Sequence, residues 1–164
     1  HQSDFLDIFI AAYCKFLISA GTSGANELAT IFDRPMLAVN IGEFSYSPFT
    51  KNCVYTPKKY KHINTGNNLN FKDALKLHSS RPNSSTSGLE AMENSSQDTL
   101  EATQEMVARV EETFKYSPEE EKLMLAFQEL WSQSDALCKD VPTPIGVEWL
   151  KKNKDLFSIS LFPL

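Results

Sequence analysis

One short stretch, Gly21-Thr22-Ser23-Gly24, and an acid three residues further on, Glu27, have the residue types and spacing of a phosphate site. The two glycines let a ligand come close to the backbone. Free amides at the start of a helix point outward, where the helix dipole favours negative charge. The hydroxyls of Thr22 and Ser23 can add hydrogen bonds to phosphate oxygens. Glu27, one turn into the helix, can accept two hydrogen bonds from a vicinal diol such as that of a ribose. Phosphate beside a diol describes a nucleoside diphosphate. Two plainer readings fit the same residues. A glycine turn is also an ordinary strand-to-helix connection, and an acid in a first helical turn is stabilising by about 0.3–1 kcal/mol without a ligand.

For that chemistry the turn must sit between a buried strand and a helix, and the flanking sequence supplies both. Lys15–Ser19 is a short apolar run that reads as a strand. Ala25–Phe32 is a run of helix formers that Asp33-Arg34-Pro35 ends, because proline disfavours helical geometry in the residue before it. Met36–Asn40 is a second apolar strand, so the order is strand, glycine turn, helix, strand: a βαβ unit with a parallel sheet. Ligands of open α/β sheets sit outside the carboxyl ends of the strands, where this turn lies.

Around the unit, Ser3 can cap a helix over residues 4–13 with Phe5, Ile8, Phe9 and Ala12 facing inward. Residues 41–57 read as a long loop with one more strand at Cys53–Thr56, and Phe71–Leu77 as a short helix. Two longer helices follow. Asp98–Phe114 carries Leu100, Thr103, Val107, Val110 and Phe114 on one face, and Pro118–Leu137 carries Leu123, Phe127, Leu130 and Trp131. Ser117-Pro118-Glu119 is a capping side chain, a proline at the first position and an acid against the dipole. A last short helix near Val147–Lys152 and an apolar tail complete the pattern. The expected fold is α/β: a partial Rossmann-like parallel sheet of two to four strands with flanking helices and a C-terminal helical segment. Residues 1–78 form the nucleotide-binding α/β unit, 79–97 a flexible connector, and 98–164 the helical segment packed on the same domain.

Composition narrows the classes of function. The 164 residues are 41% hydrophobic and 23% charged with a net charge of −5, ordinary values for a globular protein. Residues 1–78 carry +2 and the remainder −7, so an anionic ligand suits the first part. There Lys51, Lys58, Lys59 and Lys61 cluster with Tyr55 and Tyr60 between them, as a ligand-facing patch or a solvated loop. A pI of 5.2 lacks the basic stripe that nucleic-acid binding needs. Cys14, Cys53 and Cys138 form neither a disulfide framework nor a zinc ribbon, which points to a reducing, cytoplasmic setting. His62 and His78 lack partners at metal-ligand spacing, so no metal is assigned. Cys14 reads as a small core residue. The sequons at Asn83 and Asn94 carry no weight in a cytoplasmic chain. Phe44, Tyr46 and Phe49 could stack on a base or sugar, or pack beneath their own loop.

Gly21-x5-Glu27-Leu28-Ala29 followed by Arg34-Pro-Met-Leu-Ala-Val39 resembles the C-terminal nucleotide-binding domain of GT-B glycosyltransferases. Similar turns occur in peptidoglycan N-acetylglucosaminyltransferase, in UDP-N-acetylglucosamine 2-epimerases and in heptosyltransferases. The resemblance is closer to a family of bacterial glycosyltransferases from surface-polysaccharide gene clusters, and it runs over residues 14–40, 55–60, 69–77, 93–110 and 145–153. It implies that Gly21, Thr22, Ser23 and Gly24 hold the donor's phosphates, that Glu27 holds its ribose, and that Lys58 and Lys59 lie near the open end. The nucleotide-diphosphate sugar is then the substrate, with no separate cofactor. The acceptor is a carbohydrate or lipid-linked, with cytoplasmic placement and peripheral contact at the inner membrane. Because such domains have about six strands and take their catalytic base from a separate N-terminal half, the chain reads as the C-terminal portion of a longer enzyme, and no catalytic residue is assigned. A related epimerase or pyruvyl transferase remains open. So does a non-catalytic module docking partners through the acidic helices of 98–137.

Overall fold

The protein is described by a computed structural model over residues 3–20, 24–42, 52–75, 88–132 and 144–157. Ser3 accepts a hydrogen bond from the Leu6 amide at 3.2 Å and starts α1 (Asp4–Tyr13). β1 (Leu17–Ala20) leads to α2 (Gly24–Ile31). Asp33 closes α2 in the left-handed conformation, φ 49°, which turns the Arg34 amide back onto the Ala29 carbonyl at 2.8 Å just before Pro35. β2 (Met36–Ile41) then pairs in parallel with β1, Leu17 opposite Met36 and Ala20 opposite Val39. β3 (Cys53–Pro57) pairs in parallel along the other side of β2, giving the order β1-β2-β3. Beyond β3, Ile145 forms a single parallel bridge to Tyr55. The Tyr55 amide donates to Pro144 and the Gly146 amide to Tyr55.

The fold is therefore the expected partial Rossmann-like α/β arrangement. Both faces of β2 and β3 are covered, which is why β2 reads as an apolar run. On one face Leu37, Val39 and Val54 pack against Ala102 and Met106 of α4 (Ser96–Val110). On the other, Met36, Ala38 and Tyr55 pack with Phe127 and Trp131 of α5 (Pro118–Ser132), Leu150 of α6 (Val147–Lys152) and Phe157 of a closing 3₁₀ turn. A two-stranded antiparallel sheet, β4 (Lys59–His62) with β5 (Leu89–Met92), follows β3, and α3 (Phe71–Leu75) lies between its strands in sequence.

Several expectations are corrected. In α1 the buried residue is Ala11, whereas Phe5, Ile8 and Phe9 are exposed, Phe5 by 76%. β1 is the edge of the described three-stranded sheet, with its own Ile18 exposed, and α1 contacts α2. In α4 the inward residues are Ala102, Glu105 and Met106, while Leu100 and Val107 are exposed. Ala102 is small enough to let the helix close on the sheet, and Glu105 has a partner across the interface that periodicity does not reveal. Phe114 lies beyond the end of α4. The connector expected over 79–97 contains β5 and the start of α4, and its residues 79–87 lie outside the described residues.

Tyr55 is wholly buried, and its hydroxyl has no hydrogen-bond partner among the described residues. Burial pushes its phenol well above the ordinary value, with the nearby Cys53 adding to the shift. Removing an unsatisfied buried hydroxyl relieves a desolvation cost, so Tyr55→Phe should leave stability unchanged or raise it by up to about 1 kcal/mol in urea unfolding. A loss larger than that would show the hydroxyl to be bonded.

Candidate functional site

β1, β2 and β3 end side by side at Ala20, Ile41 and Pro57; of the site residues expected from sequence, Gly24 and Glu27 lie in α2, which follows β1, and Lys58 and Lys59 follow β3. Gly21, Thr22 and Ser23 lie outside the described residues. Gly24 opens α2, and a Cβ placed on it would meet no atom of the described residues within 4 Å. Glu27 lies in the first turn of α2 as an exposed carboxylate with no hydrogen bond or ion pair among the described residues. Asn26 is buried beside it.

Lys58 follows β3, and its amide donates to the Ile41 carbonyl at 2.9 Å. Two strand spacings, roughly 10 Å, separate the end of β3 from that of β1. Its ammonium is not free: it pairs with the Glu93 carboxylate just after β5. Lys59 opens β4, half-buried, and its ammonium has no partner among the described residues. The basic cluster is thus not a surface interleaved with aromatics. Strand alternation turns Tyr55 and Tyr60 inward, and Lys61 pairs with Glu90 across β4 and β5 at 3.1 Å. Lys51, Phe44, Tyr46, Phe49 and His78 lie outside the described residues, and His62 is exposed at the end of β4.

The residues that sequence reasoning missed are Asn40, Thr56 and Asn94. Asn40 sits in the left-handed region, φ 56°, where the register of β2 on β3 shifts. Asparagine tolerates this conformation better than most residues. Its amide donates to Asn94 Oδ1 at 2.9 Å, and its own Oδ1 accepts from the Asn94 amide at 2.6 Å. Asn94 Oδ1 also accepts from the Thr56 hydroxyl at 2.9 Å, and Asn94 Nδ2 donates to the Pro57 carbonyl at 2.9 Å. One side chain therefore ties the carboxyl ends of β2 and β3 to the corner that starts α4. Both asparagines stand where turn-forming residues are common, at a strand end and just before a cap, but spacing offers nothing that pairs them.

That corner also starts α4. At α4, Ser95 accepts from the Asp98 amide and Asp98 from the Ser95 amide, a complete capping box that brings its own negative charge. Burial pushes Asp98 up, but hydrogen bonds from Ser95 and Lys152 together outweigh it and hold the carboxyl below its ordinary value. The start of α4 therefore already carries a negative charge of its own.

Away from this edge, a cleft of about 400 Å³ opens at the amino ends of the strands, lined by Pro35, Asn52, Cys53, Arg109 and Phe114. Among the described residues no group of His, Cys, Asp or Glu could hold a metal ion, Cys14 and Cys53 are thiols outside any disulfide, and no helix is long and apolar enough to cross a membrane. No protein-family model, curated protein or solved structure matches the chain.

Proposed function

We propose that the chain provides the nucleotide-sugar binding part of a glycosyltransferase of surface-polysaccharide synthesis, its donor held at the carboxyl edge of the parallel sheet. The observation that carries this reading is the free, exposed Glu27 one turn into a helix that starts directly outside β1, where a Cβ placed on Gly24 would meet no atom of the described residues within 4 Å. In it, amides of residues 21–24 and the α2 dipole hold the diphosphate, Glu27 accepts from the ribose hydroxyls, and Lys58 and Lys59 approach from the β3 side. The acceptor is a carbohydrate or a lipid-linked carbohydrate, reached by peripheral contact with a membrane.

The test is calorimetric titration of UDP, GDP and CMP sugars into the protein and into Glu27→Ala. Hydrogen bonds to a charged carboxylate contribute about 1.5–3 kcal/mol each, so the variant should bind at least tenfold more weakly. Equal affinity would reject the ribose role. Transfer of label from the donor to an added acceptor, rather than rearrangement of the donor alone, separates a transferase from an epimerase.

A further inference from the structure

We propose that Glu93 is the resident counter-charge of Lys58, displaced when an anionic ligand arrives, so that the β5–α4 corner sets how tightly the site takes a diphosphate. The inference rests on the donor-site reading above and adds a specificity-determining residue to it.

The backbones on both sides are fixed. The Lys58 amide is bonded to Ile41, and the carbonyl before it, Pro57, accepts from Asn94 Nδ2. The residue after Glu93 is Asn94, bonded through its amide and its side chain to Asn40, Thr56 and Pro57. The two side chains are therefore presented to each other by a rigid frame, but they differ in setting. Lys58 is 24% exposed at the carboxyl edge, whereas Glu93 is 64% exposed and reaches in from solvent. Exposed pairs of this kind are weak, because solvent screens them. A diphosphate, with two negative charges against one, therefore outcompetes the carboxylate, which swings into water.

Lys61 and Glu90 supply an internal control. They are paired in register within β4 and β5, in the same small sheet, and Lys61 lies further from the ends of the parallel strands.

The experiment titrates UDP and inorganic pyrophosphate into the full chain and into Glu93→Gln, Lys58→Gln, the double variant and Glu90→Gln. Thermal unfolding of each verifies the fold, which exposed substitutions should leave intact. Glu93→Gln should tighten both anions about threefold, the fold-change of a pair of this strength. The gain should vanish when Lys58 is also glutamine, and Glu90→Gln should have no effect. If wild type binds and Glu93→Gln binds equally, or if the gain persists without Lys58, the counter-charge role is wrong and the donor site stands. If no form binds either anion, the donor site itself is wrong and the inference falls with it.

Discussion

Replacing Glu105 with alanine should lower the unfolding free energy by about 3–5 kcal/mol, the range for removing one member of a buried ion pair. Glu105 faces the sheet from α4, its side chain 6% exposed. Its Oε2 accepts from the Val147 amide at 2.7 Å and so caps the start of α6, where Gly146 has no side chain to offer. Its Oε1 accepts from Arg109 Nε and Nη2 at 2.9 and 2.7 Å. Arg109 in turn lies 4.1 Å from the Phe114 ring and donates to the Tyr116 hydroxyl. Alanine would leave the guanidinium half-buried without its carboxylate and the first amide of α6 without an acceptor. Glu105→Gln keeps an acceptor for Val147 and should fall between wild type and alanine.

The pH dependence of the same site has a defined sign. Burial pushes the Glu105 carboxyl above its ordinary value, and the Val147 amide and Arg109 offset this only in part. Arg109 is raised as well: its own burial opposes the charge, but Tyr116 and Glu105 outweigh it. The carboxylate is the more deeply sealed of the two and bears the larger desolvation. A group raised on folding contributes stability that is full below its unfolded value, about 4.3 for glutamate, and is lost as pH rises through the folded value. The stability difference between wild type and Glu105→Gln, followed by urea unfolding, should therefore shrink as pH increases above about 4.3. A difference that grows over this range would mean that the ion pair outweighs the burial.

Asn94→Ala is the second large effect, about 2–4 kcal/mol, because it strands the Asn40 amide, the Thr56 hydroxyl and the Pro57 carbonyl together. Asn94→Asp keeps both bonds made by Oδ1 and loses only the donor to Pro57, so it should cost about 1–2 kcal/mol. Thermal unfolding of the two variants checks the order. If alanine proves no worse than aspartate, the corner is held by its backbone and not by this side chain.

The βαβ unit was legible because β1 and β2 are apolar runs cut by Gly21 and Pro35, signals that depend only on neighbours in sequence. β4 and β5 were not, since Lys59–His62 and Leu89–Met92 are four residues each and only Tyr60 and Leu89 of them are buried. The inward face of α4 misled for a related reason. Leu100 and Val107 form the more apolar stripe, but Glu105 is drawn inside by an amide 42 residues away. At the site, Glu27 could be read from its place in the first turn of α2. Glu93 and Asn94 could not, because their partners lie 35 to 54 residues earlier and meet them only once β5 has folded back along β4.

The claim that the carboxyl edge binds a nucleotide is tested most directly by amide hydrogen exchange over residues 22–25, measured with and without saturating UDP, GDP or CMP. A nucleotide seated at the start of α2 takes hydrogen bonds from these amides and should slow their exchange while leaving the amino ends of the strands unchanged. If no nucleotide changes exchange at residues 22–25, the glycine turn is only a strand-to-helix connection and the donor-site account is wrong.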